Sequence, residues 1–107
     1  MATRALVNLP AVLRRGEVFE VRTTLAHPME TGYRRDGDGQ MLPRDIVRRM
    51  EAHLDGEPVF AADLHPAIAA NPYVAFPLQL QAGGRLQIRW TGDKGFEHTE
   101  TLTLVVT

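Results

Sequence analysis

Leu86-Gln-Ile-Arg-Trp90 alternates apolar and polar side chains at every step. A period of two is typical of a β-strand with one buried and one solvated face. The same alternation occurs in Phe19-Glu-Val-Arg22 and in Leu102-Thr-Leu104. Between such runs lie turn-forming residues, and Asp55-Gly56 indicates a β-hairpin because it suits a type I′ turn, in which both central residues have positive φ. These patterns predict an antiparallel β fold.

The alternating runs and turns indicate about seven strands. We predict them near residues 3–8, 17–27, 46–54, 57–64, 73–81, 85–91 and 98–106. The run Ile46–Leu54 also fits helical spacing, but the hairpin turn directly after it favours a strand. Pro77 cannot donate a ladder hydrogen bond, so its strand belongs at an edge or a bulge. The sequence therefore predicts one domain over residues 1–107, an all-β, immunoglobulin-like antiparallel β-sandwich.

The inward-facing side chains of these strands predict the hydrophobic core. Its expected members are Leu6, Phe19, Val21, Leu25, Met50, Leu54, Leu86, Ile88, Trp90, Leu102 and Leu104. The sequence contains no cysteine and no serine. It therefore offers no disulfide, no thiolate metal site and neither of the commonest side-chain nucleophiles. We expect no enzyme activity and no cofactor within this chain.

The charge of the chain is nearly balanced, with 12 basic and 13 acidic residues and no long run of one sign. Nucleic-acid binding usually needs a concentrated basic face, so nucleic-acid binding is not predicted for this chain. No stretch approaches the roughly 20 apolar residues of a membrane span. The N-terminal region also lacks a signal-peptide pattern. On these grounds alone the expected location is the cytoplasm, or another compartment after processing.

Two connections do not fit the alternating pattern. The segment from His27 to Asp45 is long for a sandwich connection, and its glycines suggest tight turns and a small hairpin. It includes Tyr33-Arg-Arg-Asp36, a combination enriched at interface cores, although local packing and pairing would explain it equally. The apolar connection His65–Pro72 either tucks under the sandwich or meets a partner.

Metal binding has two candidate sets of ligands. Asp36-Gly-Asp-Gly39 suggests calcium, but it does not match an EF-hand loop, so a solvated turn is favoured. His27, Met29 and His65 could form a copper site on a cysteine-free sandwich. The alternative is that the two histidines hydrogen-bond loop backbone.

Four sequence blocks resemble the SoxZ family: His27–Asp36, Pro43–Ile46, His65–Tyr73 and Trp90–Asp93. Together with Ala2–Pro10 they extend the resemblance over nearly the whole chain. The resemblance implies an immunoglobulin-like sandwich that serves as the non-catalytic subunit of the SoxYZ sulfur-carrier heterodimer in bacterial thiosulfate oxidation. SoxY would carry the substrate on its cysteine, and other Sox enzymes would bind the complex transiently.

The resemblance also implies a location and a set of contacts. The chain would reach the periplasm by co-export with SoxY, which replaces the cytoplasmic expectation. Its candidate partner contacts are His27, Met29, Tyr33, Arg34, Arg35, Asp36, His65, Ile68 and Tyr73. Without SoxY, the chain could self-associate through a strand edge or an apolar patch. A periplasmic copper-binding β-sandwich remains the alternative function.

Overall fold

The computed structural model describes residues 4–66 and 68–107, and this part of the chain contains seven strands. They are β1 (Ala5–Asn8), β2 (Val18–Leu25), β3 (Val47–Leu54), β4 (Glu57–Asp63), β5 (Tyr73–Gln79), β6 (Gly84–Gly92) and β7 (Glu97–Leu104). A 3₁₀ turn at Asp93–Gly95 joins β6 to β7. All seven predicted strands are confirmed, although residue 3 of the first lies outside the described residues. None of the described residues forms a helix long and apolar enough to cross a membrane.

The strands form two antiparallel sheets with the orders β1-β2-β5 and β4-β3-β6-β7. This arrangement confirms the immunoglobulin-like sandwich, with β4 beside β3 rather than in the first sheet as in constant domains. Asp55 (φ 49°) and Gly56 (φ 85°) join β3 to β4, as the hairpin signal predicts. Pro77 lies on β5 at a sheet edge, opposite Glu20, which confirms its predicted position.

The core fills the space between the two sheets. Its largest fully buried side chains are Trp90, Phe76, Leu25, Ile46, Met50, Leu80, Leu86 and Ile88. Phe60 of one sheet stacks on Phe76 of the other, with ring centroids 4.6 Å apart. Thr23 is a buried polar residue, and its hydroxyl donates to the Val74 carbonyl at 2.8 Å. That bond offsets most of the cost of burying the hydroxyl.

Seven of the eleven predicted core residues are buried, and one prediction is wrong. Phe19, Leu54 and Leu102 are only partly buried at the margin of the core. Leu6 is 57% exposed, whereas Ala5 is 6% exposed. The inward face of β1 is therefore the one that carries Ala5, which lies opposite the buried Leu25.

Antiparallel connectivity places the connecting segments at two ends of the sandwich. Residues 9–17, 55–56 and 80–83 lie at one end. Residues 26–46, 64–72 and 93–96 lie at the other, which we call the arm end. All four sequence blocks singled out above reach the arm end, although up to 66 positions separate them in the chain.

Candidate partner interface at the arm end

The long connection at the arm end folds back on itself as a hairpin, Glu30–Asp45, which we call the arm. Its base is closed by two reciprocal backbone bonds, since the N–H of Glu30 and of Asp45 each donates to the other's carbonyl at 2.8 Å. Farther out, the N–H of Leu42 donates to the Arg34 carbonyl at 2.8 Å. The structure thus confirms a small hairpin within this connection.

Asp36 organises the tip of the arm. Its Oδ1 accepts the backbone N–H groups of Asp38 at 2.9 Å and Gln40 at 3.0 Å. This is an Asx turn, the local bond that favours aspartate at turns. No group of three His, Asp or Glu side chains in the described part of the chain is arranged to hold a metal ion. The Asp36-Gly-Asp-Gly39 pattern therefore reflects turn chemistry.

The outer surface of the arm carries an aromatic and two arginines. Tyr33 is 81% exposed, so it does not pack on its own domain. Arg34 pairs with Glu30 four residues earlier on the same side of the arm, and its hydrogen bond holds the pKa of Glu30 below its ordinary value. Arg35 donates to a backbone carbonyl at the tip, 2.7 Å away. Local pairing therefore accounts for both arginines, whereas Tyr33 has no internal role.

His27 supports the base of the arm from inside. Its side chain is buried, and Nδ1 accepts the backbone N–H of Met29 at 2.9 Å. Nε2 lies 3.7 Å from Asp45, and the ring meets Phe96 edge-on with a centroid distance of 4.9 Å. Burial lowers the pKa of His27 below its usual value, because the smaller effect of the Asp45 carboxylate does not cancel the loss of hydration.

Met29 completes this internal support. Its backbone adopts the left-handed conformation (φ 52°), and its Sδ accepts the N–H of Val47 at 3.2 Å. His27 and Met29 are each only 4% exposed, so their predicted role as surface contacts is wrong. The candidate copper ligands His27, Met29 and His65 also share no open site. His65 is exposed, whereas His27 Nδ1 and Met29 Sδ already accept hydrogen bonds from backbone N–H groups.

The second loop is tied to the same support. Asn71 Oδ1 accepts the backbone N–H of His27 at 3.0 Å, and the N–H of Asn71 donates to the His27 carbonyl at 2.7 Å. Ile68 is 37% exposed and Tyr73 is 59% exposed. Ile68 thus faces outward, as does Tyr73 at the start of β5, whereas Leu64 and Pro72 are buried and Ala67 lies outside the described residues. The contact roles of Ile68, Tyr73 and His65 stay predictions.

Arg44 and Asp93 link the arm to the end of β6; the sequence analysis included them in the blocks Pro43–Ile46 and Trp90–Asp93 but did not predict that they pair. Arg44 donates Nε and Nη2 to Asp93 at 2.8 and 2.9 Å, and Asp93 also accepts the Ile46 N–H at 3.2 Å. Loss of hydration alone would raise the pKa of Asp93, but these hydrogen bonds bring it below its ordinary value. No local pattern predicts this pair, because 49 positions separate its members.

A family profile described as "Sulphur oxidation protein SoxZ" matches residues 7–103. Among solved structures, the superoxide reductase (neelaredoxin) from Ignicoccus hospitalis superposes with a TM-score of 0.73 at 18% identity, covering 98% of this chain and 81% of that one. The sulfur carrier protein SoxY from Chlorobium limicola f thiosulfatophilum superposes with a TM-score of 0.68 at 12% identity, covering 98% and 76%. No match among curated proteins reaches significance. At these identities the structural likeness shows the fold alone.

Proposed function

The chain belongs to the SoxZ family of sulphur oxidation proteins, and on this premise we propose that it is the non-catalytic subunit of a sulfur-carrier heterodimer in thiosulfate oxidation. Its partner is SoxY, which bears the sulfur intermediate on a cysteine. The chain has no cysteine of its own, so a covalently bound intermediate has to reside on the other subunit. Its role is to complete the carrier and to present it to the other Sox enzymes.

The observation that carries this proposal is the exposure of Tyr33 on an arm with an ordered base. Reciprocal backbone bonds close the arm, and the buried His27 supports it, so the backbone that carries the exposed aromatic is held in place. A fixed, exposed aromatic gains nothing for the isolated fold, whereas aromatic and arginine side chains are enriched at the centres of protein interfaces. The arm and the loop 64–72 together offer the surface for SoxY.

Co-expression with the SoxY of the same organism tests the proposal. We expect a stable one-to-one complex by light scattering at micromolar concentration. A monomer of this chain that persists beside folded SoxY would contradict the proposal. The periplasmic location forms part of it, and cell fractionation with and without the signal sequence of SoxY examines that part separately.

A further inference from the structure

The start of β3 contains a β-bulge at Arg48. Val47 lies opposite Gly92 of β6 and Arg49 lies opposite Thr91, so Arg48 is an extra residue without a partner in the ladder. Such a bulge breaks the alternation of side chains between the two faces of a sheet. Arg48 and Arg49 accordingly border the same groove. Two consecutive arginines thus share one face, which a regular strand does not allow.

Gly92 makes this bulge possible. A Cβ atom at this position would lie 2.4 Å from the Ile46 carbonyl oxygen and 2.9 Å from the Cα of Val47. Both neighbours are backbone, so neither can rotate away. The φ of Gly92, −163°, is ordinary extended backbone. The glycine is therefore needed for space, and it allows β6 to approach the bulge.

The groove beside the bulge has a volume of about 680 Å³ and lies between the base of the arm and the end of β4. Ile46 and Leu64 lie beneath it but are only 2% and 8% exposed, so its accessible lining is mostly polar. Arg44, Arg48 and Arg49 also line it, together with a single carboxylate, that of Asp63. A volume of this order is typical of ligand pockets and far exceeds that of one small anion.

Two of the three arginines are held in place by carboxylates. Arg44 makes the two bonds to Asp93 described above, and Arg49 donates to Glu51 at 2.8 Å and to Asp63 at 2.7 Å. Each guanidinium has five N–H donors, so both keep free donors in a fixed orientation. Within the described residues, Arg48 makes no ion pair and no side-chain hydrogen bond. Its charge helps to lower the pKa of the nearby Asp93, and its N–H donors are available to a ligand.

We infer that this groove binds an acidic segment of the partner subunit, with a carboxylate on Arg48. The inference rests on the proposed function, because the occupant belongs to the proposed heterodimer. Arginine pairs well with carboxylates across interfaces, and a groove of this size with three arginines suits an acidic peptide better than a single ion. The arm and the loop 64–72 flank the groove, so the segment would extend the same interface.

Reversal of one charge tests the groove. The dissociation constant of the co-purified heterodimer is measured by dilution at 50 and 500 mM NaCl for the unmodified protein and for Arg48→Glu. We expect the dissociation constant of Arg48→Glu to be at least tenfold higher than that of the unmodified protein at 50 mM NaCl. We also expect it to change less between 50 and 500 mM NaCl. The matched control is Arg14→Glu, an exposed arginine at the opposite end of the sandwich, for which we expect a change within twofold. Arg48→Gln serves as a milder substitution if Arg48→Glu fails to fold.

The outcomes separate the two proposals. If the unmodified chain forms no heterodimer, the proposed function fails. If the heterodimer forms but the Arg48 variants have the same dissociation constant and salt dependence as the unmodified protein, the inferred binding of an acidic segment is overturned. The proposed function then still stands. A titration with sodium sulfate provides a further test. NMR shifts of groove residues on addition of sulfate, without any change in dissociation in the Arg48 variants, would show a site for a small free anion instead.

Discussion

The connections at the arm end are longer in total than those at the opposite end, where residues 9–17 form the longest one. At the end opposite the arm, β3 passes to β4 through two residues and β5 passes to β6 through residues 80–83. At the arm end, residues 26–46 and 64–72 make the corresponding connections. The short turns show that closing the sandwich does not require the long segments. Part of the additional chain serves the core through Met29 and Ile46, whereas the exposed outer part of the arm does not.

The ends also differ in how their connections are held. Asp55-Gly56 combines a left-handed backbone with two bonds to Arg85, whose N–H donates to Asp55 Oδ1 and whose carbonyl accepts the Asp55 N–H, each at 2.9 Å. The arm depends on residues far apart in the chain, since Asn71 bonds to His27 and Asp93 bonds to Arg44. A buried polar side chain such as His27 costs free energy unless its hydrogen bonds are made. Long-range bonds hold both ends, but those at the arm end involve a buried histidine and a carboxylate–arginine pair, whereas at the opposite end Gly16 bonds to Leu80 through backbone groups.

The largest expected effect is on the free energy of unfolding, when a glycine at each end of the sandwich is replaced by alanine. Gly92→Ala forces β6 away from the bulge and should lower the free energy of unfolding by about 4 kcal/mol. Gly56→Ala meets nothing within 4 Å and strains only a left-handed backbone, so we expect a loss of about 1 kcal/mol. Urea denaturation measures both. Equal losses would mean that the close approach at Gly92 does not hold the arm end together.

A smaller effect should separate binding from stability. Tyr33→Ala combined with Arg34→Ala should weaken the SoxY complex about tenfold, a typical result of removing interface side chains. The melting temperature should change little, because exposed substitutions usually alter stability by less than about 0.5 kcal/mol. Val105→Ala, 72% exposed beyond the end of β7, is the control and should alter neither. An unchanged affinity with a large fall in melting temperature would make the arm a structural element.

The smallest expected effect is a dependence of the free energy of unfolding on pH, which arises from His27 at the arm end. Its pKa is lowered in the folded protein, so between the folded and the ordinary value only the unfolded chain binds the proton. The free energy of unfolding should therefore fall as pH decreases through that window, with a slope of at most about 1.4 kcal/mol per pH unit. His27→Asn keeps an acceptor near Nδ1 but does not titrate. Identical pH profiles for the two proteins would contradict a neutral, buried His27.

The strands and turns could be predicted because their signals are local. Alternation identifies a strand wherever one face is clearly polar, and the positions of Asp55-Gly56 and Pro77 follow from backbone chemistry alone. Leu6 was misplaced because its neighbours Ala5 and Val7 are also apolar, and a four-residue strand gives too short a pattern to fix the inward face. Contact with β2 decides the face, and that contact is not local.

The arm end was harder to predict because long-range contacts determine it. The sequence identified its segments and the small hairpin. It did not show that His27 lies inside, since the residues that cover it include Phe96 and Asn71. The bulge at Arg48 gave no local signal either, because the glycine that permits it lies on another strand. Alternation would have placed Arg48 and Arg49 on opposite faces.

The interruptions of the sheet edges have a consequence for polymerisation of the isolated chain. Of the four edge strands in the described residues, β1 has only four residues, β4 contains Pro58 and β5 contains Pro77. The fourth, β7, offers eight consecutive residues without a proline. Growth of a fibre by strand addition needs two competent edges on each molecule, whereas a molecule with one such edge pairs once and stops. We expect self-association to end at a dimer joined through β7.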